Sequence, residues 1–190
     1  MLRTINQIIA DENLYLNEAL QWGTDKFTKH PYAALYDDLL SSYRERDINL
    51  LEIGVYHGAS TILWNHYFPN GNITTVDIQP RKSLENIKNK IDESRTKIII
   101  NDAYNEDFCD TLSNFDIIND DGPHTLESQI KCIELYYKKL TSGGIMIIED
   151  IPSANWFDIL IKSTPPDVKY QCYDFSNVAT SDSRVFVLWK

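Results

Sequence analysis

The chain has 190 residues, 43% hydrophobic and 12% aromatic, which is enough for a packed core and unlike a disordered chain. Its formal charge of −10 is the opposite of what a binder of nucleic acid or of an anionic membrane presents, so neither is expected as a partner. No apolar run reaches the length of a membrane span. Cys109, Cys132 and Cys172 form no CxxC pair, which predicts reduced thiols acting as small core hydrophobes in a cytoplasmic protein.

Met1 to Ala10 carries Arg3, Asn6 and Gln7 inside its apolar stretch and predicts an amphipathic helix rather than a signal peptide. Tyr32, Leu35, Tyr36, Leu39, Leu40 and Tyr43 fall at helical spacing, so the first forty-odd residues read as helical. Strands and helices then alternate: strand 48–53, helix 59–68, strand 72–77, helix 82–92, strand 97–100, helix 105–113, strand 115–120, helix 124–140, strand 144–149 and helix 153–162. Leu126, Ile130, Ile133, Tyr137 and Leu140 make one stripe on the helix after Pro123, and Gly143-Gly144 ends that unit. Alternation of this kind predicts right-handed crossovers and a parallel sheet. Strands at 168–174 and 184–189 have no helix between them and read as an antiparallel pair. The run Arg184–Trp189 is nearly all apolar, as for a strand covered on both faces. The expectation is an α/β, Rossmann-like fold: a mainly parallel seven-stranded sheet ending in an antiparallel hairpin. It forms one domain, with an N-terminal helical cap at 1–46 and the core at 47–190.

Five of the strand-like runs end on acids: Glu52, Asp77, Asp102, Asp121 and Glu149, spaced 19 to 28 residues apart. The carboxyl ends of parallel strands share one crevice, so the pattern predicts a row of carboxylates on the rim of one pocket. Such a row can grip ribose hydroxyls, an adenine amine or a metal ion. Glu52-Ile53-Gly54-Val55-Tyr56-His57-Gly58-Ala59-Ser60 follows the first strand and opens a helix. Gly54 allows the tight turn, and Gly58 lets the backbone approach a ligand at the helix start. GxxxG alone could equally be a turn that packs helix on sheet. With Asp77 and Asp102 at the next two strand ends, a nucleoside site is the better reading. There is no GK[ST] phosphate loop, no Tyr-x-x-x-Lys pair and no His-x-Asp/Glu among the four histidines, which argues against the competing cofactors.

Asp120-Asp121-Gly122-Pro123-His124 follows the fourth strand, and Glu149-Asp150 the fifth. Neighbouring strand ends would bring Asp121, Glu149 and Asp150 together. Three clustered carboxylates repel unless something positive lies between them, and their hard oxygens suit Mg²⁺. His124, three residues after Asp121, is placed to take a proton from a substrate hydroxyl. His57 and His66 lack such company and read as structural or exposed.

The motifs Gly23-Thr24-Asp25-Lys26, His30-x-Tyr32-x-x-x-Tyr36, LLEIGVYHGAS, VDI, FDIINDDGPH and GGIMIIEDI, running in order from Gly23 to Ile151, resemble the metal-dependent O-methyltransferases of the mycinamicin and tylosin type. Those enzymes methylate sugar hydroxyls on macrolides, and cephalosporin-hydroxylase-like proteins share much of the pattern. The sheet layout expected above is also that of S-adenosylmethionine (SAM) methyltransferases. The resemblance implies a SAM site at Glu52, Gly54, Gly58, Ser60, Asp77, Asp102 and Asp120. It implies Mg²⁺ ligands at Asp121, Glu149 and Asp150, and catalysis by His124 as general base with Asp121. Thr24, Asp25, Lys26, His30 and Tyr32 would lie over the cofactor or substrate. The acceptor would be a small molecule or glycan, and a homo-oligomer is compatible with the pattern. The N-terminal region is shorter than in the mycinamicin type, so a smaller or more open acceptor is expected, and Pro123 stands where the family often has serine, which would change the setting of the base. A non-catalytic SAM- or nucleotide-binding module and a hydroxylase-like relative are the alternatives.

Overall fold

The computed structural model describes residues 2–20 and 22–190. Strands β1 (Asn49–Ile53), β2 (Asn72–Asp77), β3 (Thr96–Ile100), β4 (Phe115–Asp120), β5 (Leu140–Ile148), β6 (Lys169–Asp174) and β7 (Arg184–Trp189) form one sheet in the order β3-β2-β1-β4-β5-β7-β6. The first five run parallel, and β7 is antiparallel to both β5 and β6. The expected sheet and its closing hairpin are therefore present. Strand β7 lies inside the sheet, between β5 and β6, with Val185 to Leu188 buried, which accounts for its unbroken apolar sequence.

Helices α3 (Ala59–Tyr67), α4 (Glu106–Thr111), α5 (Leu126–Tyr136) and α6 (Trp156–Ser163) connect the strands and cover the sheet. Two apolar clusters result. One joins the N-terminal helices and α3 to one sheet face, and the other packs α5 and α6 on the opposite face. No helix among the described residues is long and apolar enough to cross a membrane. All three cysteines are free, and Cys109 and Cys132 are buried in the second cluster.

Two local expectations need correction. The helix expected at 82–92 is replaced by two short 3₁₀ turns, Lys82–Glu85 and Lys88–Lys90. Leu84 and Ile87 are buried and Ile91 packs half-buried against the same cluster, while Ser83, Asn86 and Asn89 compete with helical hydrogen bonding. Among the described residues the N-terminal region is helical only at α1 (Ile5–Glu12) and α2 (Ala33–Leu40), apart from two 3₁₀ turns at Glu18–Leu20 and Ser41–Tyr43. Helix α1 begins with a capping box in which Thr4 and Gln7 satisfy each other's backbone, and it ends at Asn13 in the left-handed region. Between the two helices the chain loops over the carboxyl edge of the sheet. Gly23, at φ +98°, packs so tightly on the backbone of Tyr15 and Leu16 that any side chain there would collide.

Candidate active site

A cavity of about 470 Å³ opens at the carboxyl ends of β1, β2, β3 and β4. One half is lined by Gly54, Tyr56, Asp77, Ile78, Asp102 and Tyr104, and the other by Thr24, Asp25, Asp121, Pro123, His124 and Asp150. Gly54 adopts φ +91°, and a Cβ there would strike the Asp121 carbonyl oxygen, so the turn leaving β1 can close only on glycine. Asp77 steadies that turn. Its Oδ2 accepts the Val55 and Tyr56 N–H groups, both at 3.0 Å, and its Oδ1 accepts the Gln79 N–H at 2.8 Å.

Among the described residues five non-glycine positions have positive φ, and three of them, Tyr56, His124 and Asp150, line this cavity. Such conformations persist where surrounding structure over-determines them, and they cluster at functional sites. Sequence patterns carry no signal for these angles. Tyr104, Ile78 and Tyr56 were also absent from the expected site. Each sits one or two positions beyond an acid or glycine that was singled out, so position alone could have found them.

The expected row of rim carboxylates splits into two tiers. Asp77, Asp102, Asp121 and Asp150 reach the cavity, whereas Glu52 and Glu149 are buried beneath it, each with no exposure. Glu52 does not touch the cavity: its carboxylate accepts the Trp64 indole N–H at 2.7 Å and the Ser60 hydroxyl at 2.9 Å. Burial pushes Glu52 up to about 7 despite the nearby Lys26 charge and those two donors. Ser60 lines the cavity, but its hydroxyl is committed to Glu52. Gly58 faces Ile87 and Leu84 rather than the cavity. Asp120 is buried and accepts the Tyr104 hydroxyl at 2.5 Å, so it orients a cavity wall from behind; burial raises it to about 6.

The largest correction concerns Glu149 and Lys26. Lys26, expected as part of a lid, is 1% exposed and extends beneath the cavity floor. Its ammonium donates to Asp121 Oδ2 and to Glu149 Oε1, the latter at 2.8 Å. Glu149 Oε1 also accepts from Asn119 Nδ2 at 2.5 Å. The positive charge that three clustered carboxylates demand is thus carried in part by the chain itself. Burial alone would drive the Lys26 pKa down, but the charges of Asp121 and Glu149 outweigh it and hold it well above the ordinary lysine value. His30 and Tyr32 are likewise buried rather than lid-like. His30 Nδ1 pairs with the Ser183 hydroxyl at 2.8 Å, and the Tyr32 hydroxyl donates to Asp150 Oδ1 at 2.8 Å.

Asp121, His124 and Asp150 each offer one donor atom within 4.8 Å of the other two. His124 Nε2 is 3.7 Å from Asp121 Oδ1 and 3.9 Å from Asp150 Oδ2. Asp150 is pushed up to about 8 by burial and by the charge of Glu149, the mark of a negative site short of counter-charge. Asp121 Oδ1 and Asp150 Oδ2, on the cavity wall beside the His124 imidazole, make a set of hard oxygens that fits a divalent cation. Glu149, locked to Lys26, stands outside that set.

The region 51–151 matches the family model described as a methyltransferase domain. Over 138 residues the chain is 30% identical to the mycinamicin VI 2''-O-methyltransferase of Micromonospora griseorubida, covering 67% of this chain and 33% of that protein. It is 29% identical over 149 residues to the 8-demethyl-8-alpha-L-rhamnosyl tetracenomycin-C 2'-O-methyltransferase of Streptomyces olivaceus, covering 73% and 38% respectively. The chain therefore spans little more than a third of the length of these relatives. A crystal structure of the MycE methyltransferase from the mycinamycin pathway, in complex with Mg, SAH and mycinamycin VI, superposes with a TM-score of 0.74 at 22% identity, over 99% of this chain and 54% of that one. The sheet is that of a Rossmann-like SAM methyltransferase. Matched by the family model over just more than half its length, the chain belongs to the methyltransferase-domain family.

Proposed function

We propose that this protein transfers a methyl group from SAM to a hydroxyl of a sugar, on a glycan or a glycosylated small molecule. The observation that carries the reading is the division of one cavity into two halves. A glycine turn with Asp77 and Asp102 lies on one side, and Asp121, His124 and Asp150 lie on the other. The similarity to sugar O-methyltransferases supports the choice of acceptor.

In this reading Asp77 binds the ribose hydroxyls with the lone pairs its backbone partners leave free, and Asp102 lies near the adenine. When bound, SAM would supply an electrophilic methyl group, and a divalent cation held by Asp121 and Asp150 would stabilise negative charge on the acceptor oxygen. His124 would take the acceptor hydroxyl's proton at Nε2 as that oxygen accepts the methyl group. The cavity walls would hold the acceptor hydroxyl beside the bound methyl donor, which converts an encounter into an intramolecular step.

Calorimetric titration with SAM, followed by product release measured with Mg²⁺ and a panel of glycosides bearing free neighbouring hydroxyls, tests the proposal. Asp121→Asn is expected to abolish turnover and leave SAM affinity within a few-fold. No SAM binding by the native protein, or loss of that binding in Asp121→Asn, would overturn the assignment.

A further inference from the structure

The carboxylates of Asp121 and Asp150 are each divided between two tasks. Asp121 Oδ2 is taken by the Lys26 ammonium, while Asp121 Oδ1 faces His124. Asp150 Oδ1 is taken by the Tyr32 hydroxyl, while Asp150 Oδ2 faces His124. The oxygens left free are the ones that converge on the cavity. Both buried donors come from one short segment. Within it the Asp25 carbonyl accepts the N–H groups of Thr28, Lys29 and His30, and the Tyr32 N–H donates to the Lys26 carbonyl at 3.1 Å. These bonds fix the separation of the two donors.

Tyr32 is the better isolated of the pair, because Lys26 also serves Glu149. Its ring has no exposure and is stacked on His30 at 5.0 Å between centroids, with Tyr36 and Phe175 at 6.3 and 6.1 Å. A ring packed on three sides cannot swing, so its hydroxyl is a fixed point. Against a carboxylate oxygen at 2.8 Å the phenol O–H is the donor. A carboxylate with one oxygen pinned loses the rotation that would let it turn its other oxygen away from a cation, and partners of this type commonly set metal affinity.

We propose that Tyr32 is a positioning residue: by holding Asp150 Oδ1 it aims Asp150 Oδ2 at the point shared with Asp121 Oδ1, where a divalent cation binds. The role rests on the cation reading of the site given above and assigns Tyr32 no contact with acceptor or cofactor.

The test uses Mn²⁺ as probe, with its affinity for the full chain measured by electron paramagnetic resonance and SAM affinity measured in parallel. Tyr32→Phe keeps the packed ring and removes only the donor. It is expected to weaken Mn²⁺ about tenfold or more, leave SAM affinity within twofold, and lower kcat at fixed Mg²⁺ in a way that higher Mg²⁺ restores. Tyr43→Phe, which removes another buried tyrosine hydroxyl, bonded to the Gly143 carbonyl, is the control and is expected to leave Mn²⁺ affinity unchanged. If the native protein binds Mn²⁺ and Tyr32→Phe binds it equally well, the positioning role is wrong while the cation site stands. Equal weakening in Tyr43→Phe also overturns the role, since any lost hydroxyl would then suffice. If the native protein binds no Mn²⁺, the cation reading itself falls, and Tyr32 with it.

Discussion

Replacing Lys26 by methionine preserves length and apolar volume but removes the one ammonium shared by Asp121 and Glu149. Removing one partner of a buried ion pair costs about 3–5 kcal/mol, because the remaining charge is left desolvated. Here most of that cost falls on Glu149, which has no exposure, while Asp121 is 21% exposed and regains some water. Against a total stability of about 5–15 kcal/mol for an ordinary domain, the loss is severe. The pH dependence has a definite sign. Burial and the charge of Glu149 already raise the pKa of Asp121, and Lys26 is the main group holding it down; without the ammonium it rises further, so the variant keeps its stability at acid pH and loses it as pH climbs. Urea unfolding followed by the fluorescence of the four tryptophans, between about pH 5 and pH 8, should show a gap between native and Lys26→Met proteins that widens with pH. In Lys26→Met/Glu149→Gln the gap should shrink by about 2 kcal/mol or more, since the fully buried charge is then gone and only the part-exposed Asp121 is left without its cation. A gap below about 1 kcal/mol at the upper pH, or one that does not change with pH, would refute the reasoning.

Glu52 offers the complementary case of a buried acid held above its ordinary value. A rise from 4.5 to about 7 costs about 3 kcal/mol of stability once the group must ionise, and the penalty appears as pH climbs through that window. Glu52→Gln can still accept from Trp64 and can donate to Ser60, so it should be more stable than the native protein above pH 7 and about equal at acid pH; urea midpoints at both ends check this. His124→Ala is expected to lower turnover by roughly 10²–10⁴ while leaving Mn²⁺ affinity within a few-fold. Loss of Mn²⁺ binding in that variant would make His124 a ligand rather than the base.

The sheet was legible because its signals are local. Apolar runs ending on acids mark β1 to β5, and the helix-free link before Arg184–Trp189 marks the hairpin. The stretch 82–92 forms turns although Leu84, Ile87 and Ile91 recur at helical spacing, because only Leu84 and Ile87 are buried and the charged and polar residues between them imitate a solvated helix face. Within the site, position along the chain identified which residues gather at the carboxyl edge but not which way each one points. Glu149 and Asp150 are consecutive, yet one turns into the core and the other into the cavity, and the left-handed backbone of Asp150 sets that choice. Lys26 lies 95 residues from Asp121 and 123 from Glu149, so no local pattern could pair them. Three clustered acids demand positive charge, and Lys26, whose motif places it in a covering segment, supplies part of it.

The stretch recognised as the methyltransferase domain starts after Lys26. Cut out by itself, it would keep Glu149 sealed in its interior and forfeit the ammonium that pairs with it. Whoever trims this polypeptide to a minimal catalytic piece should therefore expect an insoluble fragment unless the leading segment is retained. The residues ahead of the first strand function as a keystone whose charge the rest of the arch was built around.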